Sequence, residues 1–159
     1  MMRHAKSSWE EPGIGDMKRP LLPGGISKTQ RIIDHFNKNN VKPGLIISSP
    51  AVRAHETATL IANGTGYPVG EIILDNKIYQ EYTDRILDII YGTADSIDSL
   101  MIIGHNPTIT RLANLFLHPG IEMLPTSGVV SISFDAGKWE NIPTSRAAEE
   151  FIVYPKMLK

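Results

Sequence analysis

Apolar positions along the chain fall into two kinds of pattern. The short continuous runs Leu45-Ile46-Ile47 and Leu100-Met101-Ile102-Ile103 read as strands buried on both faces, as in a parallel sheet. Ile32, Ile33 and Phe36 instead recur at helical spacing. They predict a helix that begins near Ser27, where Ser27 and Gln30 have capping-box spacing, and that ends within 37–40. Ser49 and Pro50 follow the first apolar run as a helix-start signal, so a helix is predicted over 51–62 with its stop at Asn63-Gly64. Beyond it the pattern predicts a strand at 71–74, a helix at 84–90 ending by Gly92, and a helix at 108–117 behind Gly104-His105-Asn106-Pro107. The stretches 129–134, 139–142 and 151–154 are strand-like, and residues 10–25, dense in Pro and Gly, read as loop. Strands alternating with helices predict an α/β fold with a mainly parallel sheet, the late strands lying antiparallel or at its edge.

Composition narrows the class. A chain of 159 residues with 42% hydrophobic and 21% charged side chains fits one domain, 1–159, with a proper core rather than a disordered segment. Its net charge of -1 argues against nucleic-acid binding driven by a basic surface. Cysteine is absent, which excludes disulfides, thiolate nucleophiles and cysteine zinc sites. No apolar run approaches the ~20 residues of a membrane helix, and no signal peptide precedes Arg3 and His4. The expectation is a cytoplasmic protein that works on neither membranes nor nucleic acids.

Candidate chemistry gathers at strand-to-helix junctions, where ligands of open α/β sheets bind. Arg53 falls in the first turn of its predicted helix, within reach of an anion at the helix N-terminus. His105 sits at a strand end, ahead of a helix with Pro107 at its predicted first position. Arg3-His4 forms a third element near the start. Arginines, histidines and helix N-termini without a carboxylate cluster suit a phosphate-sized dianion better than a metal, and no metal ligands stand at recognisable spacing. Taken singly, each has an ordinary structural reading. Their placement together on one side of one sheet is what points to a site.

These residues carry a resemblance. The chain is similar to phosphohistidine phosphatases of the SixA type, within the histidine phosphatase superfamily. The opening Arg3-His4-Ala5-Lys6-Ser7-Ser8-Trp9 resembles that family's start. Asp16, Arg19-Pro20-Leu21 and Gly25 resemble its following loop. Ser48-Ser49-Pro50, Arg53-Ala54 and Thr57-Ala58 form the second motif and Gly104-His105-Asn106-Pro107 the third. Pro125-Thr126, 129–134, Trp139 and the closing Pro155-Lys156-Met157-Leu158 also fit. The resemblance implies a three-layer α/β/α, phosphoglycerate mutase-like fold. It implies that His4 is the nucleophile taking the phosphoryl group, that Arg3, Arg53 and His105 bind phosphate oxygens, and that no cofactor is needed. Phosphoryl transfer requires charge around the equatorial oxygens and an in-line nucleophile, which such a set supplies. The tautomer of His4 is expected to be set by a backbone carbonyl taking its far ring N–H.

Two departures from the family pattern bear on function. Larger superfamily members carry an acid that protonates the leaving oxygen. Here Ile78-Tyr79-Gln80-Glu81 puts Glu81 near that position, either as an acid or as a solvated carboxylate beside a helix start. Relatives also have a hydrophobic strand just before Arg-His, whereas only Met1 and Met2 precede Arg3, so the N-terminal strand is expected to be truncated and stability lowered. Between Arg53 and Gly104 there is no room for the long helical lid of sugar-phosphate enzymes, so the pocket is expected to be open. That suits a phosphorylated protein side chain better than a small phosphorylated compound. The function expected is hydrolysis of phosphohistidine through phospho-His4. The alternatives are a broad phosphomonoesterase using Glu81 and a non-catalytic phosphate or phosphoprotein-binding module. Ser127-Gly128 is a further candidate to place a hydroxyl or amide at the pocket.

Overall fold

The computed structural model describes residues 1–9, 12–80 and 82–159. Glu10, Glu11 and the candidate acid Glu81 lie outside the described residues. Six strands form one sheet in the order β3-β2-β4-β1-β5-β6. They are β1 (Met2–Arg3), β2 (Leu45–Ser48), β3 (Ile73–Leu74), β4 (Leu100–Gly104), β5 (Val129–Phe134) and β6 (Ala147–Val153). The first four pair in parallel, whereas β5 runs antiparallel to both β1 and β6. This is the mainly parallel sheet with antiparallel late strands that the pattern predicts.

Successive apolar residues along each strand serve opposite faces, as the period of two requires. Ile46, Met101, Ile103 and Val129 pack with α1 (Pro23–Lys38) and α2 (Val52–Thr65). Ile47, Ile102 and Val130 pack with α3 (Asn76–Tyr79), α4 (Thr83–Tyr91) and α5 (Thr108–Asn114). The result is a three-layer α/β/α sandwich. On one side α1 and α2 approach so closely that a Cβ at Gly64 would collide with Ile33. Among the described residues no helix is long and apolar enough to cross a membrane.

Several element boundaries differ from the pattern-based expectation. Helix α1 starts at Pro23, not near Ser27. Pro23 stands in its first turn, where a missing N–H costs nothing, and Gly24 and Gly25 continue the helix rather than break it. Gly25 is required there because a Cβ would run into the Lys6 carbonyl oxygen. Helix α2 continues past Asn63-Gly64 to Thr65 and ends on Gly66 at φ 79°. The one-turn helix α3 is capped by the Asp75 side chain, which accepts from the Lys77 N–H, and the apolar pattern alone misses it. Helix α5 stops at Asn114, and Pro107 is its cap residue rather than its first helical residue. Residues Trp139–Thr144 form a 3₁₀ turn, not a strand. Trp139 there donates its ring N–H to the Ile97 carbonyl at 2.7 Å, so tertiary packing overrides the local β preference of the aromatic.

Strand β1 occupies the middle of the sheet with only two residues. Met2 pairs with Ile103 on one side and Val129 on the other and is fully buried. Met1 and Val130 exchange two bonds, Met1 N to Val130 O at 2.8 Å and Val130 N to Met1 O at 2.9 Å. Beyond them, among the described residues, Leu100–Ile102 and Ser131–Phe134 have no strand between them, and the space is a cavity of ≈ 430 Å³ reaching Phe36 on one layer and Phe116 on the other. Burial at its edge lowers the Met1 ammonium to about 5.

Candidate active site

The carboxyl ends of β1, β2 and β4 meet the N-termini of α2 and α5, and the chemistry-bearing residues collect there. His4 follows β1 directly. Its N–H binds the Gly104 carbonyl at 3.0 Å, which locks the residue to the end of β4. The next amide, Ala5 N–H, donates to Thr57 Oγ1 at 2.9 Å, and that hydroxyl donates to the Arg53 carbonyl at 2.6 Å. One threonine therefore ties the backbone beside His4 to the helix turn that carries Arg53. The sequence offered Thr57 only as part of a motif, without this role.

The His4 ring is nearly buried, and its Nδ1 lies 2.7 Å from the Ala5 carbonyl. A carbonyl only accepts, so Nδ1 carries the hydrogen in the neutral ring and Nε2 keeps its lone pair. This is the backbone acceptor expected to set the His4 tautomer. Arg53, 5% exposed, directs its Nε–H at His4 Nε2 over 3.3 Å. His105 stacks at a tilt on His4 with ring centroids 5.1 Å apart, and Tyr79 meets His105 edge-on at 5.6 Å. Burial, reinforced by the Arg53, Arg3 and Arg19 charges, lowers the His4 pKa to about 4 against the raising effect of the Ala5 bond. Burial together with His4 and Arg53 lowers His105 to about 3. Both imidazoles are neutral at pH 7.

His105 Nε2 lies 2.7 Å from Ser49 Oγ. Ser49 Oγ already accepts the Ala51 N–H at 3.2 Å, so its own hydrogen is available for His105 Nε2. When Ser49 gives that hydrogen to Nε2, the proton of neutral His105 is on Nδ1, a buried nitrogen that meets no partner among the described residues. Arg3 gives Nη1 to the Leu124 carbonyl at 3.0 Å, while its buried Nε is likewise without a partner. Buried unpaired donors are costly unless something completes them. Two such donors belong to residues beside His4, which suits a site for an anion. Among the described residues no group of three or more His, Asp or Glu is placed to hold a metal ion.

The structure brings Arg3, His4, Arg53 and His105 together, as the motifs suggested. It also adds a residue that the motifs named without a role. Asp16 accepts from Arg53 twice, at its carbonyl from Nη1 at 2.7 Å and at Oδ2 from Nη2 at 3.0 Å. Tyr79 O–H donates to the same Oδ2 at 2.8 Å, and Arg19 Nε lies 3.2 Å from Oδ1. Ser127, by contrast, uses its hydroxyl on Thr29 and its amide on the Arg3 and His4 carbonyls, so it braces the strand end from behind.

Residues 1–79 match the family model of the histidine phosphatase superfamily (branch 1). The chain belongs to the histidine phosphatase superfamily. An uncharacterised protein of Mycobacterium tuberculosis is 28% identical to this phosphatase over 157 residues, spanning 92% of this chain and 95% of the relative. Its fold is that of SixA. A protein assigned as the phosphohistidine phosphatase SixA of Agrobacterium tumefaciens superposes with a TM-score of 0.81 at 24% identity, covering 97% of this chain and 95% of that one. A tungstate complex of the protein histidine phosphatase SixA superposes at 0.84 with 20% identity, covering 99% and 97%. Among the described residues no large helical insertion interrupts the shared fold.

Proposed function

We propose that this phosphatase hydrolyses phosphohistidine on a protein through a covalent phospho-His4 intermediate. The observation that carries the reading is the state of His4. A neutral ring, held by Nδ1 on the Ala5 carbonyl, presents its Nε2 lone pair next to the Arg53 guanidinium. In the proposed reaction His4 Nε2 attacks phosphorus as the substrate's N–P bond breaks. The leaving imidazole departs neutral when its other ring nitrogen carries a proton. Water then attacks phospho-His4, releases phosphate and returns neutral His4. Arg53, Arg3 and His105 supply donors to the phosphoryl oxygens as charge spreads over them.

Two features support phosphohistidine over other phosphoryl donors. Nucleophile and leaving group are both imidazoles, so the transfer is balanced and needs little help from a strong acid. Among the described residues, the region between α2 and β4 holds only β3, α3, α4 and short turns. Among the described residues no long helical segment stands there to enclose a small metabolite, which favours a side chain on a protein surface.

The test is phosphate release from a phosphohistidine-bearing protein and from an aryl phosphate, by this chain and by His4→Ala. The expected result is turnover of phosphohistidine, preferred over the ester and reduced by at least about 10³-fold in His4→Ala. Turnover that survives His4→Ala overturns the nucleophile. Preference for the ester moves the assignment to a phosphomonoesterase, and binding without turnover moves it to a phosphate-binding module.

A further inference from the structure

We infer that Asp16 is a positioning residue for Arg53, holding its guanidinium so that one edge faces the Nε2 of His4. The inference rests on the reading of Arg53 as a phosphoryl ligand. Arginine has five N–H groups in a rigid planar fork. Asp16 takes the Nη1 and Nη2 end of that fork, through its own carbonyl at 2.7 Å and its carboxylate at 3.0 Å. With that end occupied, the plane and rotation of the guanidinium are set. The remaining Nη2 hydrogen and the Nε–H then share the edge whose Nε lies 3.3 Å from His4 Nε2. A phosphoryl group on that nitrogen meets the edge with two parallel donors, the bidentate geometry arginine provides best.

Asp16 is itself held from two further directions. Tyr79 of α3 donates to Oδ2 at 2.8 Å, and Arg19 lies 3.2 Å from Oδ1. Arg19 in turn packs flat on the Trp9 ring, with its guanidinium carbon 3.4 Å from the ring centroid. Burial works to raise the Asp16 carboxyl. The Tyr79 and Arg53 hydrogen bonds and the Arg53 and Arg19 charges outweigh it and keep the group below the usual carboxylate range. The charge is therefore present at neutral pH. His4→Arg53→Asp16→Arg19→Trp9 forms one chain of contacts from the nucleophile to an exposed ring. The 3₁₀ turn that begins at Asp16 thus fixes the guanidinium of a residue carried by another element.

A double-mutant cycle tests this with Asp16→Ala, Arg53→Ala and the double variant, read by turnover and by tungstate binding. Misplaced ligands cost up to about 10²-fold. Asp16→Ala is accordingly expected to lose about 30- to 100-fold in kcat/KM, carried mainly by kcat because an oriented edge matters most in the transition state. Asp16→Asn keeps the backbone acceptor and one side-chain oxygen and is expected to lose less than about tenfold. In the Arg53→Ala background, removing Asp16 is expected to cost nothing further. A loss of equal size in both backgrounds overturns the inference, as does Asp16→Ala within about twofold of the parent. If Asp16→Ala does not fold, the same cycle is run with Asp16→Asn, and the same comparison decides. Should the parent chain turn over no phosphoryl substrate, the proposed function fails. Tungstate then still reads positioning, through weaker binding on loss of Asp16 only when Arg53 is present. A parent chain that does not bind tungstate overturns both.

Discussion

At its carboxyl end β1 passes the chain to His4 under hydrogen bonds from three directions, whereas at its amino end the same strand stops against a cavity of ≈ 430 Å³. The carboxyl end is held by Gly104 of β4, by Thr57 of α2 and by the Ser127 amide. The amides of Arg3, His4 and Ala5 and the carbonyls of Arg3 and His4 all have partners from other elements, and the Ala5 carbonyl takes the His4 ring. The amino end has one ladder exchange, Met1 with Val130, and beyond it a cavity lined by apolar residues such as Phe36 and Phe116 and by polar ones such as Asp95 and Lys138. The difference teaches where this fold invests its order. Catalytic geometry must hold to about 0.5 Å, and the bonds that achieve this are local to the strand end.

The largest expected effect breaks the well-held end. Thr57→Val keeps the volume but removes both the acceptor for Ala5 N–H and the bond to the Arg53 carbonyl. It leaves the Ala5 donor buried and unpaired, which costs about 1–3 kcal/mol. Turnover is expected to fall about 10- to 100-fold as His4 and Arg53 lose their common anchor. Steady-state kinetics beside a melting curve decide it: unchanged kcat/KM would show that Gly104 and Ser127 suffice.

The loosely held end is sharpened by addition. Three apolar residues placed ahead of Met1 continue β1 between Leu100–Ile102 and Ser131–Phe134 and turn a buried amine into a peptide N–H. Each buried apolar side chain contributes roughly 1.5–3 kcal/mol before ordering costs. The extended chain is therefore expected to melt several degrees higher, at about 2–4 °C per kcal/mol for a domain of this size. Equal melting temperatures would show that β1 needs no extension.

A smaller effect reads the site end by pH, with the lowered Met1 ammonium acting in the same direction. His4 and His105 have folded pKa values of about 4 and about 3 against an ordinary 6.5. Below pH 6.5 the unfolded chain binds more protons than the folded one, so stability falls as pH drops toward 4. Above 6.5 neither histidine contributes a slope. Melting temperatures are expected to decline by a few degrees between pH 7 and pH 5.5, and less so in His105→Asn. At the same time kcat/KM should lack an acidic limb near pH 6.5, because His4 stays neutral there. A limb at 6.5 would mean that the His4 ring is solvated in the working enzyme. Smallest of all, Tyr79→Phe removes one of the bonds on Asp16 and is expected to lower kcat/KM by about two- to fivefold, with folding unchanged.

Much of this was legible in the residues. Apolar runs marked β2 and β4 because both faces of those strands are buried, which leaves no polar alternation to obscure them. Arg3, His4, Arg53 and His105 were legible because each stands at a strand-to-helix junction, and consecutive junctions of a parallel sheet open on the same side. The sequence by itself thus determined the class of fold, the side of the sheet that bears the site and the residue types gathered there. Tertiary structure alone decided the rest. The start of α1 at Pro23 depends on Gly25 passing the Lys6 carbonyl, and the turn at Trp139 on a carbonyl of Ile97. The partnership of Asp16 with Arg53 and that of Thr57 with Ala5 join segments far apart in the chain. Periodicity reports only which face of its own element a residue occupies. Which donor meets which acceptor across elements is set by how those elements pack, and the orientation of the nucleophile depends on those pairings.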